Sequence, residues 1–307
     1  MHSQKGPILS VAVSLRNDSD REKFQRATSV LVQEDPSIRI ETASADGSII
    51  LSGMNELHLQ VTCERLLREF KLELDIGGPT VIYLETVRKS AEAEGKYIRQ
   101  TGGSGNYGHV KIRLQPNEAG KGFEFINDIK GGVVPKEYIK PTEQGILEAL
   151  LGGVLAGYEI VDVKATLFDG SYHEVDSNEM AFKIAGSMAF KEAARKAAPV
   201  LLEPVMAVEI VVPEQYVGTI IGDLNSRLGR IEGMEHRAGL QVIKASVPLA
   251  EMLGYGRDIR GYYSIQFARY EAAPRRGGFG GDGAGVTANK PVRPKAGSGF
   301  AIQPKRL

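Results

Sequence analysis

The order of strand and helix patterns in the N-terminal part of the chain restricts its fold more than any other feature. An alternating strand pattern (residues 8–15) precedes a helical pattern (21–35), and two further strand patterns, IRIETA and SIILSG, flank a turn. A second helical pattern (55–70) and the strand KLELDI (71–76) complete the series. Because the order is β-α-β-β-α-β, the sequence predicts a ferredoxin-like domain here.

The same order of elements occurs again in residues 202–272. The strand EPVMAVEIVVP is followed by the helix EQYVGTIIGDLNSRLG, by the strands RIEGME and LQVIKASVP, by the helix PLAEMLGYGRDI and by the strand YYSIQFARYE. The two segments share no obvious sequence repeat. We therefore predict a second ferredoxin-like domain that repeats the architecture and not the sequence.

The block between these segments combines strands with two long helical patterns. TVIYLETVR and IVDVKATLFDG predict strands, VKIRLQP and FEFINDI predict a pair of strands, and residues 137–158 and 180–199 each contain a helix. We expect an α+β fold in which two ferredoxin-like βαββαβ domains flank a central α+β arm domain. Two segments, TGGSGNY and SYHEVDS, project from strand ends of that arm.

The charge distribution separates a globular body from a tail. Residues 272–307 contain seven Lys or Arg against one acidic residue, whereas the first 271 residues contain 31 basic and 37 acidic residues. The tail is also rich in glycine and proline and lacks periodicity, which predicts disorder. We predict these parts: a ferredoxin-like domain (7–77), the arm domain (78–201), a second ferredoxin-like domain (202–272) and a disordered Gly/Pro-rich basic tail (273–307).

Composition excludes several classes of protein. No apolar run approaches the roughly 20 residues of a membrane helix, and the N-terminus lacks the features of a secretory signal, so we expect no membrane association and a cytoplasmic location. The single cysteine, Cys63, cannot form an internal disulfide, and its helical context predicts a buried thiol.

The glycine-rich stretch RQTGGSGNYGHVKI raises the question of a phosphate cradle. The chain contains no G-x-x-x-x-G-K-[ST] motif. Gly103, Gly105 and Gly108 match G-x-G-x-x-G, but the loop leads into a strand, so no helix N-terminus faces a bound anion. We therefore expect no nucleotide binding at this loop.

His109 and His173 leave a catalytic alternative open. The two imidazoles, with Asp176 or Glu174 as an orienting carboxylate, could perform acid–base chemistry in a small hydrolase. No nucleophile motif and no metal-ligand spacing accompanies them, so we assign no catalytic and no metal residues. The competing interpretation places His109 on a polar strand face with Lys111 and Arg113.

A large polyanionic partner suits the glycine-rich loop better. Glycines keep such a loop thin, Ser104 and Asn106 offer neutral hydrogen bonds, and Tyr107 offers a ring for stacking on bases. The cations available to approach phosphates are Arg99, Lys111 and Arg113. The composition thus favours a loop that contacts RNA.

The same stretch, together with GGVVPKEYIKPTEQGILEALLGGVLAGYEIVDVKATLFDGSYHEVDSNEMAFKIAGSMAFKEAARKAAPVLLEPVM, resembles the C-terminal half of bacterial elongation factor G, the GTPase that drives ribosomal translocation. The resemblance covers roughly residues 7–272. It implies the third, fourth and fifth domains of that family, in this order. In the family the fourth domain projects as an arm whose tip enters the decoding centre and prevents the transfer RNA and messenger RNA from slipping back.

The resemblance places the RNA-contacting tip in two segments. The first comprises Gly102, Gly103, Ser104, Gly105, Asn106, Tyr107, Gly108 and His109, and the second comprises His173, Glu174, Val175, Asp176 and Ser177. Its implied partners are the ribosome, through ribosomal RNA and the tRNA–mRNA pair, and the GTPase half of elongation factor G; the family is monomeric. An alternative is a stand-alone ribosome-binding or RNA-binding module without nucleotide chemistry.

The sequence also departs from the family pattern. The GTPase domain and the following β-barrel have no counterpart in these residues, so we expect that this chain is not an enzyme and binds neither the GTP nor the magnesium of the full-length family. A loop of the type S-x-T-x-G-R is missing after Arg260. Asn55 and Gln60 stand where the family commonly has glycine and glutamate.

Overall fold

The computed structural model describes residues 6–42, 49–99, 105–255 and 262–274. Two compact units form in it: the first contains the residues up to 82 and those from 203 to 271, and the second contains residues 83–202. The predicted domain boundaries stay predictions. The predicted disorder of the tail beyond residue 274 and the shortened loop after Arg260 concern residues outside the described ones.

The N-terminal sheet of the first unit has the predicted ferredoxin-like order. Its elements are β1 (Leu9–Leu15), α1 (Arg21–Glu34), β2 (Arg39–Thr42), β3 (Ile49–Gly53), α2 (Glu56–Arg68), β4 (Leu74–Ile76) and β5 (Thr80–Val81). The strands follow the order β2-β3-β1-β4, and β5 pairs with β1. Alternate residues of β1 are fully buried, as its period of two requires: Val11 and Val13 have no exposed surface.

Cys63 lies on the buried face of α2, as predicted. Burial disfavours the thiolate and raises the pKa of the Cys63 thiol to about 12. Since the thiolate is the reactive form, we expect less than about 5% alkylation by iodoacetamide in an hour at pH 8. Mass spectrometry of the native chain measures this; rapid labelling without denaturant would contradict it, and labelling in urea provides the control.

The second unit contains one mixed sheet and two long helices. Its elements are β6 (Leu84–Val87), β7 (Ala91–Arg99), β8 (Asn106–Pro116), β9 (Phe123–Asn127), α3 (Lys136–Leu151), β10 (Val163–Ser171) and α4 (Glu179–Lys196). The sheet order is β7-β8-β10-β9, and β6 pairs with residues 199–202. The strand predicted over residues 80–88 is thus divided between β5 and β6. The sequence analysis did not predict β7.

The predicted pairing of β8 with β9 is wrong. β10 lies between them, antiparallel to β8 and parallel to β9. Parallel neighbours need a long crossover, and α3 provides it between β9 and β10. The short connection after β8 therefore does not form a hairpin.

α4 packs on β7 and β8, and a row of alanines is part of its buried face. Ala181, Ala185, Ala189 and Ala193 recur every fourth residue and are fully buried. From the sheet, the β8 side chains Val110, Ile112 and Leu114 enter the same core and are also fully buried. The alternate residues of β8 form the predicted polar face.

The C-terminal sheet of the first unit repeats the ferredoxin-like order. Its elements are β11 (Pro199–Val212), α5 (Val217–Ser226), β12 (Arg230–Arg237), β13 (Leu240–Pro248), α6 (Leu249–Met252) and β14 (Tyr262–Ala272). The strand order is β12-β13-β11-β14. The predicted helix over 248–259 is four residues long in α6, and residues 256–261 lie outside the described ones. Among the described helices of the whole chain, none has the length and apolarity to cross a membrane.

Candidate functional site

The structure brings the two predicted tip segments side by side at one end of the arm sheet. The first segment opens β8, and the second connects the end of β10 to the start of α4. The register of the antiparallel pair places Ser171 opposite His109, and an isolated bridge joins Tyr107 to Ser177. Gly102, Gly103 and Ser104 lie outside the described residues. We call the described part, residues 105–109 and 171–178, the tip.

Two hydrogen bonds, one between backbone groups and one to a side chain, close the second segment into a tight turn. The Ser177 amide donates to the His173 carbonyl oxygen at 3.0 Å, and the His173 amide donates to the Ser177 hydroxyl at 2.9 Å. The turn then contacts the first segment, since the Tyr107 amide donates to the Asp176 carbonyl oxygen at 2.8 Å. The segments therefore form one hydrogen-bonded unit.

Residues at the start of α4 and on α3 form hydrogen bonds to this unit. Asn178 is the N-cap, and its side-chain oxygen accepts a hydrogen bond from the Ala181 amide at 2.9 Å. Its side-chain nitrogen donates to the Asn106 side-chain oxygen at 2.7 Å. In addition, the Tyr138 hydroxyl of α3 donates to the Ser177 carbonyl oxygen at 3.1 Å. Both helices of the second unit thus hold the tip.

The two histidines occupy different environments. The His109 side chain is 15% exposed, with Nδ1 2.7 Å from the Ser171 hydroxyl and Nε2 3.6 Å from Glu94 Oε2, which is beyond hydrogen-bond range. The His173 side chain is 58% exposed, and its Nδ1 lies 3.5 Å from Asp176 Oδ2. Because each imidazole has its own partners, the geometry does not favour a shared acid–base site.

Tyr107 connects the two histidine environments. Its hydroxyl lies 2.8 Å from the Ser171 hydroxyl, and its ring centroid lies 6.2 Å from that of His173 at an interplanar angle of 49°. This tilted contact falls within the usual range for rings in contact. The Tyr107 and His173 rings are therefore adjacent, with the histidine ring facing outward.

The outermost described side chains of the tip are Tyr172, His173, Glu174 and Val175. They are exposed, and Val175 has an exposed fraction of 75%. Asp176 and Ser177 are half-buried. The second segment thus presents residues 172–175 to solvent and directs the next two toward the first segment.

Two of the three cations that the sequence analysis assigned to phosphates are paired within the arm. Lys111 Nζ lies 2.8 Å from Asp169 Oδ2, and an Arg113 guanidinium nitrogen lies 2.7 Å from Glu92 Oε1. The ion pair with Asp169 raises the pKa of Lys111, and hydrogen bonds from Lys111 and the Gly170 amide lower the pKa of Asp169. The third of these cations, Arg99, is exposed at the end of β7. It forms no ion pair with any residue that the structure describes.

Two glycines of the first segment, Gly105 and Gly108, pack closely against other residues of the arm. A Cβ atom at Gly108 would lie 2.8 Å from the Phe182 amide nitrogen of α4, and one at Gly105 would lie 3.1 Å from the Asp176 carboxyl carbon. Both distances are shorter than ordinary van der Waals contact. Gly108 therefore leaves no room for a side chain, whereas a Cβ atom at Gly105 would require the Asp176 carboxylate to shift slightly.

The predicted site residues did not include three residues that build the tip: Ser171, which opens the SYHEVDS segment, Asn178 and Tyr138. Asn178 precedes a helical pattern that opens with Glu179, which is a recognisable N-cap signal. The roles of Ser171 and Tyr138 depend on strand register and on helix packing, which short-range patterns do not encode. Within the described residues, no cluster of three or more His, Cys, Asp or Glu side chains is placed to hold a metal ion.

Comparison with known proteins identifies the family. Residues 6–78 match the family model for elongation factor G domain III, residues 79–198 match that for domain IV, and residues 200–276 match that for the elongation factor G C-terminus. A crystal structure of a protein from Thermus thermophilus is similar over 88% of this chain at 41% sequence identity, with a TM-score of 0.68. This chain spans 41% of that protein. The three family models together match most of the sequence, and the chain belongs to the elongation factor G family as its domain III, domain IV and C-terminal part.

Proposed function

We propose that this chain binds the bacterial ribosome in the cytoplasm and supports translocation of the tRNA–mRNA pair. In this proposal the arm tip contacts RNA at the decoding centre through Asn106, Tyr107 and His173. The chain acts as a monomer. A GTPase half binds GTP and magnesium and performs the hydrolysis, so this chain itself is not an enzyme.

The observation that carries the proposal is the construction of the tip. Two segments distant in sequence are held together by hydrogen bonds at the end of a sheet, with both long helices beneath them. The adjacent rings of Tyr107 and His173 offer surfaces on which nucleobases stack. A supported end that presents polar and aromatic groups suits insertion between RNA elements better than it suits a reaction at a bond.

Charge indicates what kind of RNA contact the tip makes. Residues 102–109 and 171–178 contain no Lys or Arg and include Glu174 and Asp176. The nearby Lys111 and Arg113 are neutralised by carboxylates. Hydrogen bonds and stacking are therefore the contacts that the tip residues themselves offer, and Arg99, opposite Asn106 on β7, is the neighbouring cation without an ion pair among the described residues.

The first test is sedimentation of the purified chain with bacterial 70S ribosomes, with and without GTP, followed by chemical probing of the decoding-centre RNA. Binding with protection of that RNA supports the proposal. Binding without such protection would contradict the assigned role of the tip. Ribosome binding that does not depend on GTP, combined with failure to complement a GTPase half in translocation, would favour the stand-alone module instead.

The double variant Tyr107→Ala/His173→Ala should weaken ribosome binding about tenfold and remove the protection of decoding-centre RNA. Loss of base stacking on an aromatic side chain costs about 1–3 kcal/mol, which is consistent with this factor. Because both side chains are at least partly exposed, we expect the melting temperature to change by less than about 2 °C. Equal binding and protection by the variant and the wild type would remove these contacts from the proposal.

Two controls sharpen this test. Leu151→Ala removes an exposed apolar side chain at the far end of α3, about 20 Å along the helix from the Tyr138 contact with the tip, and should leave binding unchanged. The salt dependence of binding gives a second readout. Since the double variant removes no cation, the slope of log Kd against log salt should equal that of the wild type.

A further inference from the structure

We infer that Asp176 is a positioning residue of the tip, whose carboxylate links the two segments and holds His173 for contact with RNA. This inference rests on the proposed function and deepens it. Asp176 itself does not contact the RNA. It acts through the residues to which it is bonded.

All three oxygen atoms of Asp176 face other tip residues. Its Oδ1 accepts a hydrogen bond from the Gly105 amide at 2.8 Å, and its carbonyl oxygen accepts one from the Tyr107 amide at 2.8 Å. Its Oδ2 lies 3.5 Å from His173 Nδ1. One residue of the second segment thus engages two backbone amides of the first segment and the outward-facing imidazole.

The Asp176 carboxylate is less exposed than the side chains that precede it in the second segment, which indicates an internal role and not a direct contact with RNA. The Asp176 side chain is 26% exposed, whereas that of His173 is 58% exposed. Glu174, two residues earlier, is exposed. A carboxylate facing an RNA phosphate would be repelled, but one that accepts a hydrogen bond from an amide inside the tip stabilises the loop.

Gly105 complements Asp176. A Cβ atom at this position would lie 3.1 Å from both the carboxyl carbon and Oδ1 of Asp176. A side chain at this position would therefore require the carboxylate to shift slightly. The close fit indicates that the first segment folds directly onto Asp176.

Loss of the Asp176 side chain should loosen the tip without unfolding the arm. The bond from Asn178 to Asn106, the N-cap of α4 and the bond from Tyr138 to Ser177 do not involve Asp176. The backbone bond to Tyr107 also persists in an alanine variant. The effect is thus expected to be local, which separates positioning from general stability.

The test compares Asp176→Ala and Asp176→Asn in the full chain. The alanine variant removes both side-chain contacts, whereas the asparagine variant retains an oxygen that can accept from the Gly105 amide. Amide hydrogen exchange measured by NMR reports on the tip, chemical probing of decoding-centre RNA in the 70S complex reports on function, and thermal denaturation reports on the fold. Glu118→Ala removes an exposed carboxylate just beyond the Pro116 end of β8, the opposite end of that strand from the tip, and is the control.

We expect the Gly105 amide to exchange about tenfold faster in Asp176→Ala, because one hydrogen bond is lost, and the protection of decoding-centre RNA to fall at least threefold. Asp176→Asn and Glu118→Ala should stay within twofold of the wild type in both readouts. All variants should melt within about 2 °C of the wild type.

Three outcomes would overturn the inference: unchanged exchange in Asp176→Ala, faster exchange with unchanged RNA protection, or an asparagine variant as impaired as the alanine variant. The last result would mean that the negative charge itself is the required feature. Failure of the proposed function gives a different result, because then the wild type protects no decoding-centre RNA. The exchange measurement still decides in that case whether Asp176 links the two segments.

Discussion

Gly145→Ala is expected to lower the free energy of unfolding of the second unit by about 3 kcal/mol or more. Gly145 lies in the middle of α3, where the helix meets α4 without any intervening side chain. A Cβ atom there would overlap the Lys183 carbonyl oxygen and lie 2.8 Å from the Lys183 carbonyl carbon. Backbone atoms in the middle of a helix cannot move aside as a side chain can, so the helices must separate and lose packing.

A second contact shows that the close approach extends along the helix pair. Gly186 of α4 faces the Thr142 residue of α3, and a Cβ atom at Gly186 would lie 3.0 Å from the Thr142 methyl carbon. Separating the helices at Gly145 therefore also opens this contact. Both helices support the tip, so the substitution should reduce protection of decoding-centre RNA as well as stability.

Gly152→Ala is the matched control for this prediction. It introduces the same methyl group at the C-terminal end of the same helix, at an exposed position where the nearest atom to a new Cβ lies 4.0 Å away. Its stability should stay within about 0.5 kcal/mol of the wild type. Urea denaturation followed by far-ultraviolet circular dichroism measures both variants. Equal midpoints for Gly145→Ala and Gly152→Ala would show that the helices tolerate the added methyl.

The ferredoxin-like sheets were predictable because their information is local. Alternation in β1 and helical spacing in α2 each determine an element, and the order of elements then leaves few topologies. The observed strand orders agree with that prediction in both sheets. In the arm the same method identified α3, β10 and α4 but mispaired β8 with β9, because a parallel neighbour reached through a crossover helix leaves no signal in a short connection.

The candidate site was only partly predictable. The glycine-rich loop and the SYHEVDS segment were found from composition and from the resemblance, but no periodicity indicates that they meet. Their contact follows from the register of β8 and β10, which pairs His109 with Ser171. The same register places Asp169 opposite Lys111 and so neutralises a cation that the sequence analysis had assigned to phosphates.

The largest loss of stability from a nearly isosteric change is expected at Glu85. Its side chain is fully buried, and its two carboxylate oxygens accept hydrogen bonds at 2.7–3.1 Å from four backbone amides, those of Val154, Leu155, Ala156 and Tyr158. Burial, together with the nearby negative charge, raises the pKa of the Tyr158 phenol. Glu85 thus determines the path of the loop that leads from α3 to β10. Short-range sequence patterns give no indication that this acidic residue of β6 is buried.

Glu85→Gln should lower the free energy of unfolding by about 3–5 kcal/mol. A glutamine has one side-chain oxygen, so its NH₂ group must face two of the amide donors, and each unsatisfied buried donor costs about 1–3 kcal/mol. Glu159→Gln makes the same change at an exposed position on the same loop and should have an effect below about 0.5 kcal/mol. Urea denaturation of both variants measures the two free energies of unfolding. A loss below about 1 kcal/mol for Glu85→Gln would mean that the loop rearranges around the amide, and the carboxylate would then be dispensable for the fold of the arm.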